Sequence, residues 1–503
     1  MVAAASDESS SIALSAASAT SAASARSADD NVKEPVTLTQ LIDFPTLFTP
    51  CMLWLTSSCT SSSMGIGSQA LLLDPVYKDA LAPHINTVSS IVLIGGIFGQ
   101  LIGGALADWK GRKVGILVMM TLQLLGHSMY LFWSPSPHVL IGLMYVGRLV
   151  AGVGGSGCNP ITMALAVEGA VNAEARTLRS TFTVMFMNVS LAVVPLWTAI
   201  LDSCGLPYTL LWRFTFGSTF IPAVFATIGI LRTDDSTEFR AAKAAKLEAA
   251  KAAKLEATKA SEAAAALVEQ TSRSMSGSFS SGLSHAPIHV RMCSSSNLAR
   301  LLYGVVAMSI INMSLYGFVM CAPLVSRDSL GLQGFQGTAW GSAIFGFAGC
   351  VSMACSIPLL MRKDNLWIQK AGYALQTPTV LVFGLVVYGA GHFEVSWLEF
   401  VGFLVAFMVS YSGAPILSFS YVPTIFPVQI RGLFTAICLC ISVIAAFASS
   451  IFSPKIYDSQ GPWLVLVTVA CLTSILFCQI WFLYVTPAAV VHIRTSQDES
   501  SKV

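Results

Sequence analysis

Residues 104–113 read Gly-Ala-Leu-Ala-Asp-Trp-Lys-Gly-Arg-Lys and lie between two long apolar runs. A charged side chain at mid-bilayer costs about 2.5–3.5 kcal/mol on insertion scales. Asp108, Lys110, Arg112 and Lys113 therefore mark a tight hairpin at a membrane surface. Gly104 and Gly111 carry no Cβ, which lets two helix ends approach closely while the chain turns sharply between them.

Composition points the same way. The chain is 54% hydrophobic and 11% charged, whereas a soluble domain is about 25% charged. A helix needs about 20 apolar residues to cross a bilayer. Twelve runs qualify: 46–72, 86–107, 114–133, 138–165, 180–201, 209–231, 298–325, 338–361, 371–391, 398–421, 433–453 and 463–486. The expected class is an all-α, multi-pass membrane protein, with the plasma membrane as its expected location.

Lys and Arg collect in short cytoplasmic loops. With a cytoplasmic N-terminus, those loops hold Lys110, Arg112, Lys113, Arg176, Arg179, Arg362, Lys363, Lys370 and Arg431. The opposite side holds only Lys78, Arg327 and Lys455, with Arg213 near the start of the sixth run. The expected plan is two six-helix halves, 41–231 and 298–486. A cytoplasmic central loop, 232–297, joins them, and cytoplasmic tails occupy 1–40 and 487–503.

These polar segments carry less information. Residues 1–34 are Ala/Ser-rich and lack the apolar core of a cleavable signal, so a disordered tail is expected. Residues 241–256 repeat Ala-Ala-Lys-Ala-Ala-Lys-Leu-Glu twice, strong helix formers that read as a solvated spacer helix. The Ser-rich stretch Ser272–Ser296 reads as flexible. The cysteines are scattered with no Cys-x-x-Cys pair, so no metal is expected. No Gly-x-x-x-x-Gly-Lys-Ser/Thr phosphate cradle occurs, which argues against ATP-driven transport.

Charges inside the runs are few. Arg148 stands about ten residues into the fourth run, Glu168 near its cytoplasmic end, and His127 towards the outer end of the third. A guanidinium at that depth must face a polar cavity or a partner, so Arg148 is either an anion-binding group or a helix-positioning one. His127 reads as a satisfied interfacial residue. Hydroxyl, amide and aromatic groups at Thr60, Ser63, Gln100, Gln123, Asn188, Asn312, Tyr316, Tyr411 and Ser412 could line a solute pathway.

The hairpin follows Gly-x-x-x-Asp-x-x-Gly-Arg-Lys, the loop between the second and third helices of major facilitator superfamily transporters, and the chain resembles that superfamily. The stretch Arg148-Leu-Val-Ala-Gly-Val-Gly-Gly-Ser-Gly-Cys-Asn-Pro160, with Glu168 eight residues on, resembles the phosphate:proton symporter family and its glycerophosphodiester (glycerophosphoinositol-type) permease branch. Asn172 to Asn188-Val-Ser-Leu-Ala, Trp212-Arg213 and Tyr421-Val-Pro-Thr-Ile-Phe-Pro427 with Arg431-Gly432 extend the likeness. By this resemblance Asp108 docks at a helix end of the opposite half. Arg112 pairs with an acid near the end of the fourth helix, here Glu168. Gly104, Asp108, Gly111, Arg112, Lys113 and Glu168 then form the gate.

Departures from that family's pattern bear on function. Cys158, Asn312 and Thr424 stand where the family carries acidic residues, and Thr56–Ser63 is a run of hydroxyls and one thiol where first-helix acids are expected. The groups that would carry protons and clasp phosphate are missing. The function expected is therefore secondary transport, by alternating access, of a small polar solute or an organic anion, with phosphate or a glycerophosphodiester-like solute implied by the resemblance. Arg148, Asn188, Asn312, Tyr316 and Gln100 are the expected solute-binding residues. The alternative is a non-transporting nutrient sensor of the same fold. The expected partners are the solute, a proton and the lipid bilayer, in a monomer with no cofactor, no nucleic-acid partner and no enzymatic activity.

Overall fold

The computed structural model describes residues 44–132, 136–168, 173–232, 295–329, 334–360, 365–392, 395–410 and 428–485, with a few isolated positions between them. Both expected tails and nearly all of the central loop lie outside the described residues, as do Tyr411, Ser412 and Thr424.

Every described element is helical. In chain order they are α1 (Phe44–Leu72), α2 (Lys78–Leu81), α3 (Ile85–Lys110), α4 (Arg112–Leu131), α5 (Pro137–Val167), α6 (Ala173–Ser203) and α7 (Tyr208–Gly217). There follow α8 (Phe220–Arg232), α9 (Ser295–Ser329), α10 (Phe335–Leu360), α11 (Asn365–His392), α12 (Ser396–Ser410), α13 (Val428–Gln460) and α14 (Pro462–Val485). Among the described residues nine segments are long and apolar enough to span a bilayer, with shorter apolar helices at Ser396–Ser410 and Pro462–Cys478. The chain is an all-α membrane protein, and each of the twelve expected runs overlaps a described helix, with residues 411–421 of the tenth run outside the described residues.

The sixth run divides into α7 and α8. Pro222 has no N–H to bond the Ser218 carbonyl four residues back, which interrupts the helix there; separately, the Ser218 hydroxyl donates to the Thr215 carbonyl at 2.8 Å. By contrast α5 runs on through Pro160, as membrane helices do when neighbours satisfy the freed carbonyl.

Lipid tails are as apolar as leucine, so helices in a bilayer associate through close packing rather than hydrophobic burial. α5 is gripped this way on two sides. On α3, glycines 95, 99 and 103 recur every four residues and lie against α5 backbone. A Cβ added at Gly99 would stand 2.8 Å from Val153 Cα, and one at Gly103 would stand 2.7 Å from the Gly157 carbonyl carbon. On the α4 side, a Cβ at Gly154 would stand 2.7 Å from Gln123 Cα. The second half packs differently. Phe318, Phe345, Phe400, Phe403 and Phe407 interlock edge-on, with centroids 5.2–5.7 Å apart, each pair contributing about 0.5–1.5 kcal/mol beyond its buried area.

Among the described residues, the halves meet closely along α3–α13 and along α6–α10. Ser90 on α3 reaches Ser450 on α13 at 3.4 Å. Gly346 on α10 lies directly against the Leu191–Ala192 backbone of α6.

Candidate functional site: a polar cavity and a charged hairpin

The hairpin forms as its residues dictate. α3 ends at Lys110, Gly111 takes φ 113°, and α4 starts at Arg112. A side chain at Gly111 would be strained there. Gly104 is buried in α3. Asp108 lies in the last turn of α3, with its side chain outside the described residues. Arg112 donates through Nη2 and Nε to Glu168 Oε1 at 3.0 and 3.2 Å, and both residues are buried. Lys113 Nζ donates to the Leu231 carbonyl at 3.0 Å, placing a cation at the negative end of α8.

Between the halves lies a cavity of about 80 Å³. α1 supplies one wall through Ser57, Ser58, Ser61 and Ser62. At 100° per residue these four share one face, while Thr56, Thr60 and Ser63 share the opposite one. α3 adds Gln100, α5 adds Ser156 and Asn159, and α9 adds Asn312 and Tyr316. Asn312 Nδ2 donates to Ser442 Oγ at 2.8 Å, and the Tyr316 hydroxyl donates across the cavity to Ser61 Oγ at 3.2 Å. Two of the lining residues carry a buried polar atom without a hydrogen-bond partner, Trp54 Nε1 and Gln100 Oε1. None of the described lining residues is charged.

Of the five residues expected to bind solute, Gln100, Asn312 and Tyr316 line this cavity together, whereas Arg148 and Asn188 do not. Asn188 is buried at the α6–α10 seam and donates to the Gly349 carbonyl at 3.3 Å. Arg148 is 2% exposed within the first half, its guanidinium 4.7 Å from the centre of the Phe216 ring. Its Nε and Nη1 have no hydrogen-bond partner.

Thr60, Gln123 and His127 also turn away from the cavity. Gln123 Nε2 donates to Thr60 Oγ1 at 2.9 Å, His127 Nε2 lies 3.0 Å from Thr60 Oγ1, and His127 Nδ1 lies 2.6 Å from the Tyr130 hydroxyl. His127 is 1% exposed, and both of its ring nitrogens are partnered near the outer end of α4. Sequence reasoning missed Trp54, Ser156 and Asn159. The i, i+1, i+4, i+5 spacing of the four α1 serines was the available signal for that wall. Among the described residues no group of side chains could hold a metal ion.

Comparison with known proteins agrees with this architecture. Residues 44–491 match the model of the family described as "Sugar (and other) transporter". The inorganic phosphate transporter PT2 of Toxoplasma gondii is 23% identical over 451 residues, covering 88% of this chain and 72% of that protein. The major myo-inositol transporter IolT of Bacillus subtilis is 26% identical over 160 residues, covering 32% of each. The proton:xylose symporter XylE, solved with 6-bromo-6-deoxy-D-glucose, superposes with a TM-score of 0.65 at 15% identity, covering 87% of this chain and 95% of that one. A partially occluded inward-open form of XylE from E. coli gives 0.62 at 15% identity, covering 88% and 97%. With two bundles of spanning helices, a polar cavity between them and a family match along nearly all of its length, this chain is a multi-pass membrane transporter, not an enzyme, and belongs to the sugar (and other) transporter family of the major facilitator superfamily.

Proposed function

We propose that the chain carries a small neutral polyhydroxylated solute, a sugar or polyol, by alternating access through the cavity between its halves. One observation carries this reading. The cavity is lined by hydroxyl- and amide-bearing side chains, with Trp54 and Gln100 among them, and by no charged side chain among its described lining residues. A polyol exchanges its water hydrogen bonds for these groups at little net penalty. An anion would lose its hydration with no nearby cation to replace it. The myo-inositol relative supports the same class of solute.

In this reading the hairpin is the cytoplasmic latch. Gly104 and Gly111 allow the turn, Arg112 and Glu168 form its ion pair, Lys113 ties it to α8, and Asp108 meets the opposite half. The halves 41–231 and 298–486 rock as units, in a monomer.

Phosphate is the second reading, with a glycerophosphodiester as its bulkier form. The Toxoplasma gondii relative, aligned over 88% of this chain, and the unpartnered nitrogens of Arg148 favour it. Uptake of radiolabelled myo-inositol, xylose, glucose and phosphate into vesicles containing the purified protein separates the two. Uptake of phosphate alone would overturn the neutral-solute reading.

A further inference from the structure

Beside the polar cavity lies a smaller one of about 30 Å³. The two share Ser62, Leu191 and Val319 as a common wall. Beyond that wall the lining is Pro195, Pro323, Phe345 and Phe407, with Gly65 opening one side. Its two hydroxyls have no proton to offer an occupant. Ser342 Oγ donates to the Thr338 carbonyl at 2.7 Å. Ser190 Oγ donates to the Met187 carbonyl at 2.6 Å, so in the 2.7 Å contact between Ser62 and Ser190 it is Ser62 that donates.

The two hydroxyls therefore act towards an occupant only as acceptors, and the rest of the lining is mostly prolines, phenylalanines and aliphatic side chains. An apolar occupant gains dispersion contacts with them.

We propose that this annex is a subsite for a small apolar substituent, one or two carbons long, on the polar solute. The solute class narrows accordingly to a sugar or polyol with a methyl- or ethyl-sized group, as in a deoxy or O-alkyl derivative, whose hydroxyls occupy the serine-lined cavity. This rests on the neutral-solute reading. Leu191 and Val319 form the threshold between the two spaces, and Gly65 sets the depth of the annex.

Equilibrium binding of glucose, methyl glucoside, ethyl glucoside and octyl glucoside to the purified full chain tests it. Each buried CH2 should tighten binding about fourfold, so methyl and ethyl glucosides should bind better than glucose, while octyl glucoside, too long for the annex, should lose the gain. Gly65→Ala places a methyl 3.6 Å from Pro323 Cγ, an ordinary contact that fills the annex without a clash. The ratio of ethyl glucoside to glucose affinity should fall towards one in that variant. It should be unchanged in Gly217→Ala, whose new methyl meets only Leu131 at 3.8 Å. If glucose binds and alkylation brings no gain, or the gain survives Gly65→Ala, the subsite is overturned and the neutral-solute reading stands. If glucose, xylose and myo-inositol all fail to bind, both fall.

Discussion

Arg112 Nη2 lies 3.0 Å from Glu168 Oε1, and each charge sits at the wrong end of its own helix. Arg112 opens α4, where the helix dipole is positive, and Glu168 closes α5, where it is negative. Each ion is therefore held by the other against its local field. Arg112→Gln or Glu168→Gln alone removes one partner of this buried ion pair and should destabilise the protein by up to about 3–5 kcal/mol. The double variant should recover much of that loss, a coupling that thermal unfolding of all four forms would measure. Additive losses would show that the pair does not act as a unit.

Trp54→Phe removes a buried donor that has no hydrogen-bond partner within the protein. Stability should barely change, because no hydrogen bond of the free protein is lost. Solute affinity should fall about 5- to 150-fold, the effect of leaving one buried solute group unsatisfied at about 1–3 kcal/mol. Titration of solute against both proteins checks this. Equal affinities would take Trp54 out of the site.

No carboxylate or imidazole stands among the described residues lining the cavity. Initial uptake should change by less than about twofold when a gradient of one pH unit is imposed across the vesicle. A carrier moving one proton per solute could instead concentrate its solute about tenfold at that gradient. Strong acid-driven accumulation that survives Glu168→Gln would identify another proton carrier.

Arg148 is buried against Phe216 with two nitrogens unpartnered. Arg148→Met keeps much of its bulk and removes a buried charge whose desolvation opposes folding. The melting temperature should therefore hold or rise, and the affinity for a neutral solute should stay the same. A large loss of affinity with the fold intact would return Arg148 to the solute site and favour an anion.

Gly99→Ala would force a methyl to within 2.8 Å of Val153 Cα, where only backbone movement relieves the clash. Surface expression and melting temperature should both drop, while Gly217→Ala should match the native chain. A normal melting temperature for Gly99→Ala would mean that α3 and α5 can separate without loss.

The chemistry of the chain by itself determined the class of fold. Apolar runs near 20 residues, the charged hairpin 104–113 and the glycines of α3 and α5 are local features, and each acts wherever the chain goes. The Arg112–Glu168 pair was legible through resemblance, and the spacing of polar residues on α1 already divided them between two faces. Which face meets the cavity was decided only by the tertiary structure. In lipid an apolar residue suits both the membrane and a neighbouring helix, so hydropathy does not mark the buried side. Thr60, Gln123 and Arg148 thus turned inward within the first half, while Ser57, Ser58, Ser61 and Ser62 turned to the cavity. Trp54 became a binding candidate for the same reason, since only the packing of both halves reveals that its N–H has no partner.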